Sequence, residues 1–101
     1  MKDVVKAYLV KEFGDEAVAE EIYAEYRSST QPKLDESARA LAARDFVLLD
    51  RAAHALKGNA LMVGDPDALA AALALRDAAK AQDATAAGAA LERVRAVFTA
   101  G

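Results

Sequence analysis

The residue of this chain best suited to chemistry is His54, its only histidine. Lys57 follows it by three positions and Gly58 by four, which is about one helical turn. A neutral imidazole has an unprotonated nitrogen that can accept a phosphoryl group covalently. Such a transfer needs an accessible nitrogen, a cation to offset the phosphate charge, and room for the donor. His54, Lys57 and Gly58 meet these needs in that order.

A histidine near a lysine on a helix surface is common and by itself indicates no function. Gly58 is the residue that favours a functional interpretation of this pattern. A glycine inside a helix costs about 1 kcal/mol relative to alanine, and the chain uses alanine freely elsewhere. We therefore expect the glycine to leave space beside the ring, so that a partner surface can reach His54.

Other uses of a single histidine lack the residues that they require. A metal site needs several ligands, and the chain has no second histidine, no cysteine and no HExxH spacing. A serine hydrolase would need a Gly-x-Ser-x-Gly turn, and a nucleotide site a glycine-rich phosphate loop, and both are absent. We expect no metal and no cofactor in this chain.

Composition predicts one helical domain spanning residues 1–101. Apolar residues make up 54% of the chain and charged residues 29%, with only two prolines and no cysteine. A net charge of -3 argues against nucleic-acid binding. The sequence shows neither a signal peptide nor an apolar run of membrane-spanning length. We expect a cytoplasmic protein, either free-standing or excised from a longer chain.

Capping residues and apolar spacing predict six helices, with no strand-like alternation. Four aspartates are expected N-caps: Asp3, Asp15, Asp45 and Asp65, the last between Gly64 and Pro66. The segment Ser28-Ser29-Thr30 is expected to end the second helix. Pro32 would then lie in the first turn of the third helix. The expected helices cover about residues 4–13, 16–27, 32–43, 46–63, 66–81 and, finally, 84–99.

Short joints between these helices predict an all-α fold, an up-down-up-down four-helix bundle. The bundle is expected over residues 30–99, with the first two helices, residues 1–29, as N-terminal cover helices. The helix at 66–81 should carry an apolar stripe with Leu69, Leu73 and Arg76 at helical spacing.

A helical wheel of residues 46–63 separates a core face from a face that carries the histidine. The core face is formed by Phe46, Leu49, Ala53, Leu56, Ala60 and Val63. His54 lies roughly 135° from the centre of that face and should point to solvent, given 100° of rotation per residue. Val47, Arg51 and Leu61 lie near it and are the expected partner-docking residues.

The segment His54-Ala55-Leu56-Lys57-Gly58, followed by Asn59 and by Gly64, closely resembles the histidine-containing phosphotransfer (HPt) domain. Residues 42–46 are similar to the lead-in joint of that family, and residues 75–83 to the turn between its last two helices. The resemblance extends over roughly residues 16–99 and implies a four-helix bundle without catalysis of its own.

The resemblance implies a role for each residue of the motif. His54 would accept a phosphoryl group from a receiver-domain aspartate or from a kinase, and pass it to another receiver aspartate. Lys57 would be the cation beside the phosphate. Gly58 would leave space for the receiver domain to reach the ring, and Asn59 stands where a small polar residue is usual in the family. The partners would be receiver domains of response regulators and hybrid histidine kinases, with any magnesium in the receiver. We expect the carrier to be a monomer.

Arg76 stands where members of the family often have a glutamine or glutamate. An arginine can only donate hydrogen bonds, so we expect Arg76 to bind the phosphate with Lys57, and Lys80 to assist. The alternative is an arginine that extends from the edge of the core. Arg44 and Gln82 stand where glycine is frequent and should affect only the helix ends.

Two alternatives to an active carrier stay open on the sequence. One is a helical docking module that is never phosphorylated, and the other is the phosphoacceptor part of a chemotaxis-type kinase. Residues 1–14 lie outside the firm resemblance. They are expected to form a cover helix over the apolar end of the bundle, and a partner-recognition or self-association element is the alternative.

Overall fold

Five α-helices account for nearly all of the chain in the computed structural model, which describes residues 1–100. The helices are α1 (Asp3–Phe13), α2 (Glu16–Ala42), α3 (Phe46–Val63), α4 (Pro66–Lys80) and α5 (Ala84–Ala100). No strand occurs within residues 1–100. No helix in this part of the chain is long and apolar enough to cross a membrane.

Aspartate side chains begin four of the helices, because a carboxylate satisfies backbone N–H groups that the first helical turn leaves unpaired. Asp15 accepts from the Ala17 N–H at 2.7 Å, and Asp45 from the Leu48 N–H at 3.0 Å. Asp65 and Asp83 cap α4 and α5 in the same way. The predicted cap at Asp3 is wrong, since the N-cap of α1 is Lys2, without a side-chain hydrogen bond.

A glycine directly follows helices α1 and α3, whereas none follows α2 or α4. Gly14 and Gly64 have φ values of 74° and 65°, in the left-handed region that glycine adopts without a steric penalty. Arg44 and Gln82 adopt the same conformation, with φ values of 57° and 56°. The two positions at which the resemblance leads one to expect glycine are therefore the ones where this chain has strained helix ends.

The continuous helix α2 replaces the two helices expected between residues 16 and 43. The predicted break at residues 28–30 is wrong, and Pro32 lies inside α2 rather than in a first turn. The expected boundary between cover and bundle, at residues 29 and 30, therefore falls within one helix. The Asn59 side chain of α3 donates to Ser29 Oγ and Thr30 Oγ1, each at 3.1 Å, so these hydroxyl groups join α2 to α3.

A buried stripe along α2 explains why the helix continues through the serines and the proline. The stripe recurs every three or four residues from Ala19 to Ala40 and includes Tyr23, Tyr26, Thr30, Leu34 and Ser37. Burying one continuous face stabilises the helix more than the local preference of these residues for a turn.

The core of the bundle contains the residues expected for α3 and differs from expectation in α4. Five of the six predicted core residues of α3 are buried, and Phe46 is half-buried. The predicted stripe of α4 is wrong, because Leu73 is 41% exposed and Leu69 half-buried. The buried residues of α4 are Ala68, Ala71, Ala72, Leu75, Ala78 and Ala79. Small alanines allow neighbouring helices to approach closely, so Leu69 and Leu73 remain at the edges of the contact, while Leu75 is fully buried.

The four long helices pack in chain order, α2 on α3, α3 on α4 and α4 on α5, and α2 also contacts α5. The short helix α1 packs on α2 and α3, with Val5 and Leu9 almost wholly buried. Lys2 Nζ lies 2.8 Å from the Asp65 carboxylate, and the Tyr8 ring packs on Gly64. Helix α1 is therefore fastened to the joint between α3 and α4.

Candidate functional site

His54 is exposed on the outer face of α3, as the helical wheel predicts. Val47 and Leu61 lie seven residues before and after it, and they are 66% and 52% exposed. Seven residues bring a helix back to nearly the same direction and rise about 10 Å. The ring therefore lies at the middle of a stripe that has one exposed apolar side chain at each end; Val47, His54 and Leu61 are called the docking stripe below.

Gly58 has open space where its side chain would be. A Cβ atom built on Gly58 meets no atom within 4 Å outside its own helical turn and its two chain neighbours. Nothing inside the domain therefore requires a glycine at this position, although glycine weakens the helix by about 1 kcal/mol relative to alanine. Within residues 1–100, the only other glycine inside a helix is Gly88 of α5, which is equally unobstructed.

Three cations lie on or beside the docking stripe without a carboxylate partner. Lys57 and Arg51 belong to the same helix as His54, and neither forms a salt bridge with any residue of 1–100. Lys80, at the end of α4, has none in that range either. It lines a groove of about 210 Å³ with Val47 and Asp50. Lys57 is close to His54 because it lies three residues further along the same helix. Lys80 belongs to α4, and the fold places it at the Val47 end of the docking stripe.

Arg76 is held against α3 by a residue that the sequence reasoning did not select, Asp50. The Arg76 Nε donates to Asp50 Oδ1 at 3.1 Å, and both side chains are about one quarter exposed. Asp50 lies four residues before His54, hence one turn away on the same side of α3. The i−4 spacing from His54 was the signal that could have identified Asp50.

Asn59, although next to Gly58, has its hydrogen bonds on the other side of the helix. Its amide joins Ser29 and Thr30 of α2, as described above. This bond fixes the rotation of α3 about its own axis, so it helps to keep His54 and Gly58 on the outer face. Asn59 therefore links α3 to α2 beside the site.

An Hpt domain model matches residues 21–100, about four fifths of the chain. The chain belongs to the Hpt domain family. Neither a curated protein nor a solved structure matches it. The family resemblance stated from the His54 motif is thus confirmed. Hpt domains are phosphocarrier modules of two-component phosphorelays rather than catalytic enzymes, and they interact with receiver domains.

In this Hpt domain, helix α1 and the first residues of α2 precede the matched segment. The motif lies wholly within it, on α3. The motif combines an exposed imidazole with neighbouring cations and an unobstructed glycine. This combination is suited to transient binding of a phosphorylated protein. Within residues 1–100, no three His, Cys, Asp or Glu side chains are grouped so that they could hold a metal ion.

Proposed function

We propose that this Hpt domain carries a phosphoryl group on His54 between partners of a phosphorelay. An unprotonated ring nitrogen attacks the phosphorus of a receiver-domain phosphoaspartate, or of the phosphoryl donor that a kinase supplies. The bond between phosphorus and the donor breaks as the bond to the ring nitrogen forms. In the onward step, an aspartate carboxylate of a second receiver domain attacks the same phosphorus and the imidazole leaves.

The empty space beside Gly58 is the observation that carries this proposal. A docked receiver must bring its aspartate within bonding distance of the ring, and a side chain at position 58 would stand beside that path. The protein itself leaves the space unfilled and accepts a weaker helix for it. Access by another macromolecule explains why glycine is used at this position.

The surrounding side chains have separate roles in the proposal. Lys57, the closest cation in sequence, offsets the charge of the phosphoryl group, and Arg76 assists from α4 through the N–H groups that Asp50 does not use. Lys80 adds positive charge at the Val47 end of the docking stripe. Val47, Arg51 and Leu61 contact the visiting receiver.

We infer further that the carrier works as a cytoplasmic monomer without a cofactor, and that any magnesium is bound by the receiver. The scaffold is an up-down-up-down bundle of α2–α5 with α1 as a cover. Two features support this arrangement: the joints between the helices are short, and Asp50 near the start of α3 meets Arg76 near the end of α4.

The test is incubation with phosphorylated receiver domains from the same cell, comparing wild type with His54→Gln. We expect an acid-labile phosphoryl label on the wild type alone, because phosphohistidine contains a labile phosphorus–nitrogen bond. Circular dichroism of the variant provides the folding control, and an exposed residue should be replaced without loss of helix.

Absence of label with every receiver tested would contradict the carrier role. If a receiver binds the protein without transferring label, the chain is the docking module that the sequence left open. Label from a kinase domain alone, with no transfer to any receiver, would instead favour a kinase phosphoacceptor segment.

A further inference from the structure

Asp50 is the only acidic residue of α3, and it lies one helical turn before His54. The nearest side chains on a helix surface are those three and four residues before and after a given position. Around His54 these positions hold Asp50, Arg51, Lys57 and Gly58. Arginine and lysine only donate hydrogen bonds, and glycine has no side chain. Among these neighbours, Asp50 alone can therefore accept a hydrogen bond from the imidazole.

The aspartate stands among cations, where phosphate binding alone does not explain it. From α4, Arg76 donates to Asp50 Oδ1 at 3.1 Å, and Lys80 lines the same groove as Asp50. Neither of these two side chains can accept a hydrogen bond. A carboxylate one turn from His54 repels a phosphoryl group on the ring, because both are negatively charged. The presence of Asp50 therefore indicates a role toward the ring itself.

Helix geometry places the inner nitrogen of the ring nearest to this carboxylate. Side chains of a helix lean toward its N-terminus, so the His54 ring lies over the turn that begins with Asp50. Nδ1 is the ring nitrogen closer to the backbone, and Nε2 lies at the outer edge. Within residues 1–100, Arg76 is the only side chain that binds the Asp50 carboxylate, which has room for about four hydrogen bonds. His54 is exposed, so its ring can turn toward Asp50 without displacing a packed side chain.

We propose that the Asp50 carboxylate accepts a hydrogen bond from Nδ1–H of His54 and thereby keeps Nε2 unprotonated and directed outward. The partner of one ring nitrogen decides which nitrogen is left free to react. The inference rests on the proposed function. Asp50 is a positioning residue in it, and Arg76 keeps the carboxylate in place.

The transfer step then balances without movement of a proton on the ring. The lone pair of Nε2 forms the bond to phosphorus, and the electron pair of the phosphorus–oxygen bond leaves with the donor aspartate. Nδ1 keeps its proton, so the ring gains a positive charge, which the Asp50 carboxylate offsets. When a receiver aspartate takes the phosphoryl group, the electron pair returns to Nε2 and the starting tautomer is restored.

The test measures the two tautomers of the neutral His54 ring by nitrogen NMR, which has one signal set because the chain has a single histidine. We expect the ratio of the Nδ1–H to the Nε2–H tautomer to be about fivefold higher in the wild type than in Asp50→Ala, the effect of one partly exposed hydrogen bond to a charged group. Asp50→Asn keeps an acceptor oxygen without the charge and should lie between them. It gives the same direction if Asp50→Ala is poorly folded.

Two control variants separate this bond from other effects of Asp50. Arg76→Met breaks the ion pair between α3 and α4 as Asp50→Ala does, yet it leaves the carboxylate beside the ring. The tautomer ratio should then stay within about twofold of the wild type. Asp77→Ala removes the same charge from an exposed position on α4 and should leave the ratio unchanged.

Loading of His54 with phosphoramidate, a small phosphoryl donor that needs no partner, connects the tautomer to the chemistry. The wild type should carry the phosphoryl group on Nε2. Asp50→Ala should load more slowly, because a smaller fraction of its rings has an unprotonated Nε2.

Equal tautomer ratios in the wild type and both Asp50 variants would overturn the proposal, even where transfer to receivers proceeds. An equal fall in Asp50→Ala and Arg76→Met would also overturn it, because the ion pair would then act through the packing of α4. If no receiver exchanges phosphoryl groups with the wild type, the proposed function fails, and Asp50 has no transfer to assist, whatever the tautomer ratio.

Discussion

A side chain at position 58 should affect the stability of the domain and the access of a partner to His54 in opposite ways. A Cβ atom at this position would meet no other part of the domain within 4 Å, so the isolated domain has room for a side chain to begin there. Helix propensity even favours the change, because almost every other residue stabilises a helix more than glycine does. The opposite effects on stability and on transfer make position 58 a sharp test of partner access.

We predict that Gly58→Gln raises the free energy of unfolding by about 0.5 kcal/mol and lowers the rate of transfer from a receiver at least tenfold. Gly88→Gln is the matched control, since it fills an equally open helical position on α5. It should stabilise the protein by a similar amount and leave transfer unchanged. Normal transfer by Gly58→Gln would show that the open space has no role in partner access.

Arg76 and Asp50 allow the phosphate-binding role of Arg76 to be separated from simple ion pairing. If Arg76 contacts the phosphoryl group, Arg76→Gln should shorten the lifetime of phosphorylated His54 by about threefold, the effect of one partly exposed charge contact. Asp50→Asn frees the guanidinium and should not shorten it. The measurement is loss of label from protein loaded with phosphoramidate. Equal lifetimes in both variants and the wild type would leave Arg76 only a structural role.

At the scale of the element, the long helix α2 is the main departure from what the sequence suggested. Pro32 lies inside it, where the ring removes one backbone hydrogen bond and crowds the preceding turn. The buried stripe of α2 and the hydroxyl groups that meet Asn59 offset this cost. Helix α2 thus retains a weak point at its middle, close to the level of the site.

We predict that Pro32→Ala raises the free energy of unfolding by about 2 kcal/mol, measured by urea denaturation with an unchanged slope. The other proline provides the control, because Pro66 occupies the first turn of α4, where proline is well tolerated. Pro66→Ala should therefore change stability much less. A similar small effect of both substitutions would mean that α2 is interrupted at Pro32 in solution.

For the whole molecule, Tyr26 reports the packing of the bundle. Its ring lies 5.6 Å from that of Tyr23 and 6.0 Å from that of Phe98 on α5, measured between centroids. Burial, and to a lesser extent the negative charge of Asp65, raises the pKa of Tyr26 to about 12. The hydroxyl group therefore stays protonated in the folded protein at pH values where it ionises in the unfolded chain.

Because the folded pKa lies above the unfolded value of about 10, the folded state binds the Tyr26 proton more tightly. The contribution of Tyr26 is therefore fully present below pH 10 and is lost as the pH rises to about 12. We predict that the free energy of unfolding of the wild type falls by about 2 kcal/mol more than that of Tyr26→Phe over this interval. Parallel pH profiles for the two proteins would show that Tyr26 is not buried in solution.

The sequence by itself determined the features that rest on local chemistry. The bounds of α3 and the end of α1 at Phe13 follow from their end signals and from the apolar spacing, and both were predicted, whereas the start of α1 was not. Placing His54 on the outer face of α3 needed only the helical period, and the motif around it identified the family. Each of these depends on residues within one or two turns of one another.

Only the tertiary structure decided the features that depend on contacts between distant segments. Ser29 and Thr30 favour a helix break locally. They became part of α2 because that helix buries one continuous face, and Asn59, about thirty residues away, binds their hydroxyl groups. The pairing of Asp50 with Arg76 and the packing of Tyr8 on Gly64 arise in the same way. Local propensities differ by about 1 kcal/mol or less per residue, so burial of a continuous face readily outweighs them. The period of one helix shows where a side chain points, but not which side chain it meets.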